Sequence, residues 1–320
     1  MNSQTSWGVV ATIKAPTKDI LDFAAYHLDL GAKRVHVYLD DDDPVAHKAL
    51  KSHSKCRVHL CDETYWRKRK GRPDQHQLRQ SINATHCYRR ASDVDWLAHI
   101  DVDEFLCPSQ PLALQLAELP DSALTAQLRP IEALAPDPFT LPPNGQVWAK
   151  GCASRLIDRR AQTQEIYPTF GNQLNGGFLS HVSGKIFVRT GRQGFKLRIH
   201  NAFFNGTRLT NAHVLQQTQL LHMHAPSWAH WRRSYRYRLN QGAYRAELQA
   251  NARFSTQKLS MHELLSSLET EGGEPALQAF FTEVCVATPQ LREKLSAHGH
   301  LHAVSLGLDA KRKRHFADAV

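Results

Sequence analysis

No run of apolar residues approaches the ~18 needed to cross a bilayer, and Met1 to Trp7 show no basic stretch leading into an apolar one. A membrane span and a secretory leader are therefore not expected; the reading is cytoplasmic, with peripheral contact at the inner face of the membrane as the one membrane option. The six cysteines (Cys56, Cys61, Cys87, Cys107, Cys152 and Cys285) include no C-x-x-C pair, which argues against a zinc ribbon or a disulfide framework and for inert buried thiols. No internal repeat is present. The most telling absence is of negative charge: no Asp or Glu occurs in the 81 residues from 166 to 246.

What is there is a 320-residue chain, 42% hydrophobic, with net charge +10. That composition excludes disorder and allows two domains, or one large α/β domain with an appended part. The charge is concentrated. From His181 to Ser255 twelve bases face a single acid, Glu247, so the rest of the chain is close to neutral. Such a block usually meets an anion: nucleic acid, a membrane surface or a phosphorylated substrate.

Trp7 to Lys14 and Arg34 to Leu39 read as strands, with a helix between them closed by Gly31. A helix from Val45 to Ser52, a strand from Arg57 to Leu60, a helix from Asp74 to Arg90 and a strand from Val94 to Ile100 continue the alternation. Strands alternating with helices imply βαβ units and a parallel sheet. Leu112 to Leu119 reads as a short helix, Ala123 to Ile131 as a strand, and Pro130 to Pro143 as a proline-rich bend. Turn signals fill Gly151 to Phe187, with strands at Lys185 to Arg189, Lys196 to His200 and Leu220 to His224. Helices are expected at Trp228 to Ala246, His262 to Glu269 and Pro275 to His298, before a basic tail, Lys311 to Arg314.

Three constellations carry chemistry. In Trp96-Leu97-Ala98-His99-Ile100-Asp101-Val102-Asp103-Glu104-Phe105-Leu106, an extended strand would turn Asp101 and Asp103 to one side at its carboxyl end, the edge where open α/β sheets bind ligands. Paired hard oxygens suit Mg²⁺ or Mn²⁺, which can hold a diphosphate. The string alone is weak, since Asp93-Val94-Asp95 matches it too. His222-Met223-His224 on a strand would share a face and could reach a metal; structural histidines are the alternative. Asp40 to Asp43 at the tip of the second strand either form a solvated turn or accept hydrogen bonds from a ribose, with Asp40 and Asp42 the contacts.

The opening strand with Thr12 and Lys14, Tyr26-His27 leading to Gly31-Ala32, the acidic strand tip and W-L-x-H-I-D-V-D-E-F-L together resemble the GT-A glycosyltransferases. The likeness is to the family 2-like bacterial group that shares a D-x-D-E-F-L signature with family 92. Residues 7 to about 107 carry its strong part; Gly176 to Lys185, Arg198 to Asn201 and H-M-H-A-P-S-W at 222 to 228 extend it. The resemblance implies a Rossmann-like, mostly parallel sheet with flanking helices and a helical C-terminal part. It divides the chain into a nucleotide-sugar-binding half (1–107), an acceptor-side half (108–225) and a helical region (226–320). It implies inverting transfer of a sugar from a nucleotide diphosphate sugar to a glycan or lipid-linked acceptor, of the kind used in surface polysaccharide or lipopolysaccharide synthesis. Thr12, Lys14, Asp40, Asp42 and Asp101 would line the nucleotide. Asp101 and Asp103, with His222 or His224, would hold Mn²⁺ or Mg²⁺, a Lewis acid for the departing diphosphate.

One departure stands out. Inverting enzymes of this fold usually take the acceptor proton on a carboxylate after the metal site, where this chain has none. The base is then Glu104, an earlier acid (Glu132, Asp158 or Glu165), or His181, whose imidazole is competent near neutral pH and which glycines at 176, 177 and 184 would leave open to substrate. Lys185, Arg198 and Trp228 would serve the diphosphate or the acceptor. Trp228, Trp231 and Tyr235, at i, i+3 and i+7 among arginines, form a sugar platform, a membrane-facing stripe or a core stripe. Two rival functions remain at this level: a D-x-D phosphohydrolase with Asp101 as nucleophile, and a basic nucleic-acid-binding protein, for which no recognition motif is present.

Overall fold

The computed structural model describes residues 5–91, 93–140, 142, 145–242, 244, 246 and 259–319. Glu247 and Arg253 of the basic block, Pro143 of the proline-rich bend, and Ala243 and Arg245 of the helix expected to Ala246 lie outside the described residues.

In chain order the elements are β1 (Trp7–Ile13), α1 (Thr17–Asp29), β2 (Arg34–Leu39), α2 (Pro44–Ser52), β3 (Cys56–Leu60), α3 (Glu63–Arg67), α4 (His76–Tyr88), β4 (Trp96–His99), β5 (Glu104–Pro108), α5 (Leu112–Ala117), β6 (Thr125–Ala133), β7 (Val147–Lys150), α6 (Leu156–Ile166), β8 (Lys185–Arg189), β9 (Phe195–Leu197), β10 (Ala202–Phe204), β11 (Thr207–Arg208), β12 (His213–His222), α7 (Trp228–Asn240), α8 (Met261–Cys285), α9 (Pro289–Ala297), β13 (Leu301–Val304) and α10 (Leu308–Phe316). They form two compact units. The first comprises Met1–Arg129, Ser183–Leu220 and Gly307–Val320; the second comprises Pro130–Val182 and Leu221–Leu306.

In the first unit the strands run in the order β6-β8-β4-β1-β2-β3. β1 pairs in parallel with β2 (Gly8 opposite Arg34, Ile13 opposite Leu39) and with β4 (Trp7 opposite Trp96), and β2 pairs in parallel with β3. β8 runs antiparallel to both β4 and β6. This is the α/β architecture expected from the alternation. Every residue of β1 is buried, and the two-residue period of a strand sorts them onto two cores. Val9, Ala11 and Ile13 join α1 and α2 in one core. Val10, Tyr38 and Leu97 join Ala84 and Cys87 of α4 in the other. The basic tail is α10, seated on α1: Arg312 pairs with the buried Asp22, and Arg314 pairs with Asp29.

In the second unit the end of β6 pairs with β7 (Glu132 opposite Lys150), and β7 pairs with β13. α7, α8 and α9 pack around Trp231, Tyr235, Phe280, Phe281 and Leu295. The C-terminal helices divide differently from expectation. α8 runs from Met261 to Cys285 across a break at Gly273, whose φ of 62° and ψ of −151° suit glycine, with Pro275 two residues on. Thr288 then caps a separate α9, its hydroxyl accepting from the Leu291 amide at 3.2 Å. Trp231 and Tyr235 are fully buried and Trp228 stacks on Trp231, with ring centroids 5.4 Å apart. Trp231 and Tyr235 are therefore core residues, and Trp228 is half-buried against them. Among the described residues no helix is long and apolar enough to cross a membrane. No disulfide joins the six cysteines, and Cys56, Cys61, Cys87 and Cys285 are buried, their thiols pushed up in pKa by burial.

Candidate functional site

The carboxyl ends of β1, β2 and β4 open on one edge of the first unit, and α4 lays a polar face along it. Asn83 donates to the Thr12 hydroxyl at 3.1 Å. Arg79 Nε donates to Asp40 Oδ2 at 2.7 Å, and Arg72 Nη2 lies 3.1 Å from Asp40 Oδ1. Gln80 donates to Asp101 Oδ1. Burial alone would raise the Asp40 pKa, but His76, Arg79 and Arg72 outweigh it and hold the carboxyl below its usual range. The neighbouring acids differ. Asp41 is exposed and pairs with Lys14 at 3.1 Å, Asp42 is exposed, and Asp43 caps α2 by accepting from the Ala46 amide at 2.8 Å. Beside this edge a cavity of about 690 Å³ is lined by residues including Cys61, Asp62, Trp66, Lys70 and Arg72.

The D-x-D segment is built by a turn rather than by an extended strand. β4 ends at His99, and 101–103 bend so that Glu104 N donates to Asp101 O at 3.1 Å while Asp101 N donates to Glu104 Oε2 at 2.7 Å. Strand alternation thus does not set the direction of Asp101 and Asp103; the turn does. Behind it stands Lys185, the first residue of β8. Its side chain is fully buried, with Nζ 2.7 Å from Asp101 Oδ2 and 3.4 Å from Glu104 Oε2. Burial would lower the Lys185 pKa, but the Asp101 and Glu104 carboxylates more than reverse it, and the ammonium is held above its ordinary value. Lys185 is therefore an internal cation of the site, not an exposed clamp for a ligand. Next to it His99 is buried; its Nδ1–H donates to the Arg198 carbonyl at 3.3 Å, and burial, followed by Lys185, pushes its pKa down to about 4. At ordinary pH that imidazole is neutral.

The remaining candidates lie in the second unit. Glu132 is buried. Its oxygens accept from the amides of Leu179 (3.0 Å) and Ser180 (2.9 Å) and from the Ser180 hydroxyl (2.7 Å), and Lys150 Nζ stands 3.2 Å away. Burial would raise its pKa, but Lys150 and these donors outweigh it and keep the carboxyl ionised. So held, Glu132 anchors the segment that leads to His181, which is itself half-buried. Gly176 and Gly177 in that segment serve packing: both have positive φ, and a Cβ on Gly177 would meet the Tyr167 ring at 2.3 Å, one on Gly176 the Cys152 side chain at 2.8 Å. They do not clear space for a substrate. Glu165, at the exposed end of α6, is 71% exposed and lies 3.3 Å from His298 Nε2; Asp158 lies 3.6 Å from Arg155. β12 stops at His222, so His224 stands in the bend beyond it, buried, with Nε2 2.8 Å from the Tyr244 hydroxyl. The two imidazole centroids are 5.1 Å apart.

Among the described residues, no group of three or more His, Cys, Asp or Glu is placed to hold a metal ion. Asp101 is already engaged by Lys185 and Gln80. These residues do not fit a Mn²⁺ or Mg²⁺ held by protein ligands alone.

The sequence reading missed the polar inner face of α4. Arg79 and Asn83 are four apart, and Gln80 and Asn83 three apart, so they share a helix face; only knowing that this face is buried tells it from a solvated one.

Comparison with known proteins bears on this site. Residues 10–131 match the model of glycosyltransferase family 92. None of the curated proteins compared with the chain matches it. Among solved structures, the crystal structure of HddC from Yersinia pseudotuberculosis is similar at 9% identity and a TM-score of 0.33, over 68% of this chain and 93% of that one. The crystal structure of a mycobacterial protein is similar at 13% identity and a TM-score of 0.27, over 58% of this chain and 53% of that one. The matched segment spans β1 through most of β6 and contains Thr12, Asp40, the inner face of α4 and the D-x-D turn. Over residues 10–131 the chain is related to glycosyltransferase family 92, and the protein is a glycosyltransferase.

Proposed function

We propose that the protein transfers a sugar from a nucleotide diphosphate sugar to a glycan or lipid-linked acceptor with inversion, and that the donor binds at the carboxyl edge of β1, β2 and β4. One observation carries this: Thr12 in β1, Asp40 just after β2 and Asp101 in the turn after β4 are each hydrogen-bonded to a side chain of the single helix α4. In this reading Thr12, Lys14, Asp40 and Asp42 face the nucleoside beside the cavity near Arg72, and the D-x-D turn faces the diphosphate. The acceptor oxygen bonds to the anomeric carbon as the bond from that carbon to the diphosphate breaks, its electron pair leaving with the phosphate oxygen. Lys185 holds the turn at fixed charge.

The proton of the acceptor hydroxyl needs a base. Glu104 is buried with Oε2 engaged by Asp101 N and Lys185, and Glu165 is largely exposed and faces His298. Glu132 is taken up by Lys150 and its amide donors and Asp158 faces Arg155, so of the candidates we propose His181 as the base.

The test is a thermal-shift panel of UDP, GDP and CMP sugars on the wild type and on Asp103→Asn. A matching nucleotide at a hundredfold its Kd should add ~2.7 kcal/mol and raise Tm by about 4 °C, and the variant should lose most of that rise. No response to any nucleotide, or an identical response in the variant, would remove the reading.

A further inference from the structure

The outer side of α4 borders a second cavity, also of about 690 Å³, whose wall carries Lys68, Arg69, Arg89, Arg90, Lys196 and Arg198 and no Asp or Glu. Among the described residues none of these six cations forms an ion pair with a carboxylate.

The cations stand on a fixed frame. Lys196 and Arg198 flank the buried Leu197 and are both exposed. Thr85 of α4 clamps that strand, its hydroxyl accepting from Leu197 N at 3.0 Å and donating to Leu197 O at 3.3 Å. Arg69 is planted on the Tyr65 ring, Cζ 3.6 Å from the centroid, and donates to Tyr65 O at 2.9 Å. His86, in the same wall, has its pKa pushed down to about 4, by burial first and then by Arg69 and Arg90, so both guanidinium groups are felt within the wall. Six like charges around one concavity repel each other, and a cavity focuses their field outward. Anions relieve both.

The size and the lining select the ligand. A volume of about 690 Å³ lies within the ~300–1,000 Å³ of small-molecule sites, which fits a short ligand. Single-stranded nucleic acids are held on aromatic platforms, and the only ring in this wall is His86. We propose that this cavity binds the anionic portion of the acceptor, a saccharide bearing phosphate or carboxylate groups. That the ligand is a saccharide rests on the glycosyltransferase reading; that it is an oligoanion rests on the cavity. Because α4 forms both walls, an acceptor held here sits on the opposite side of the helix from the residues that line the donor edge.

The test is titration calorimetry at low and moderate salt on the wild type and on the double variant Arg89→Gln/Lys196→Gln, both of whose positions are exposed. The probes are inorganic tripolyphosphate, trigalacturonate, the neutral trisaccharide maltotriose, and a short single-stranded oligonucleotide of matched charge. We expect at least one anionic probe to bind, to weaken about tenfold in the variant, and to weaken with salt as exposed charge interactions do, while maltotriose does not bind. Preference for tripolyphosphate identifies a phosphorylated saccharide and preference for trigalacturonate a carboxylated one. Equal binding to wild type and variant, no anion binding below about 1 mM, or tighter binding of the oligonucleotide than of both other anions would overturn the proposal. The nucleotide-sugar panel on the same two proteins keeps the readings apart: anion binding lost in the variant without any nucleotide response leaves the cavity proposal standing and removes the donor reading.

Discussion

Replacing Lys185 by methionine, which keeps the length of the side chain and removes its charge, should be among the most damaging single changes in the first unit. The Lys185 side chain is 0% exposed, that of Glu104 2% and that of Asp101 27%. Breaking a buried pair costs ~3–5 kcal/mol because the surviving charge is stranded. Here the strain falls unequally. Asp101 keeps Gln80 and some water, whereas Glu104 keeps the Asp101 amide and little solvent. Lys185→Met should therefore sit toward the upper end of that range, and adding Glu104→Gln should recover much of the loss, a sign that a double-mutant cycle reads directly. Asp101→Asn alone should cost less, on the order of one charge-assisted hydrogen bond, ~1.5–3 kcal/mol. Urea unfolding followed by tryptophan fluorescence measures the wild type, Lys185→Met, Glu104→Gln, their double variant and Asp101→Asn. The pH dependence has a fixed sign. Because the folded pKa of Lys185 is raised, its contribution is fully present below the unfolded value of about 10.4 and is lost as pH rises through the folded value. The gap between wild type and Lys185→Met should thus be flat from pH 6 to 9 and close only in strong alkali. A loss below about 1 kcal/mol, or a double variant less stable than Lys185→Met, would refute the account of a buried cation holding the D-x-D turn.

Two further outcomes are expected. His181→Ala should lower kcat by roughly 10²–10⁴, the usual yield of a general base; an unchanged kcat would assign the base elsewhere. Mn²⁺ without nucleotide should leave Tm within about 1 °C, since the described residues build no cage of their own and only a bound ligand stabilises by mass action; a shift of several degrees with the metal alone would show a resident site.

Much of the carboxyl edge of β1, β2 and β4 was readable from the chain. β1, α1, β2 and β4 announce themselves through apolar runs and a Gly31 stop, and D-V-D-E-F-L marks the turn after β4. The direction of Asp101 and Asp103 was not readable, because it depends on where β4 ends, and strand ends are set by the turn's hydrogen bonds rather than by side-chain period. The polar face of α4 was hidden because Arg79, Gln80 and Asn83 look like a solvated face until the opposing strands are in place. α6 was missed for a related reason: only Thr163 and Ile166 of its residues are buried, so no helical period shows. β12 is likewise longer than the apolar segment at its end, with Gln216, Gln217 and Gln219 occupying strand positions. The basic tail reads as a solvated charge run, and only the buried Asp22 across from it reveals Arg312 as a packing residue.

That last contact bears on synthesis. The first unit is assembled from three stretches of chain, and its α1 waits for α10. Asp22 and Arg312 are 290 positions apart, so a ribosome releases the carboxylate long before its guanidinium partner. Through that interval Lys18 is, among the described residues, the counter-charge Asp22 has, and the face of α1 that α10 will cover stays open to other contacts. The second unit, encoded wholly within the gap, is free to fold first. Chaperone dependence during translation, and its relief once residues 308–316 have emerged, would be the cellular trace of a closing helix that arrives last.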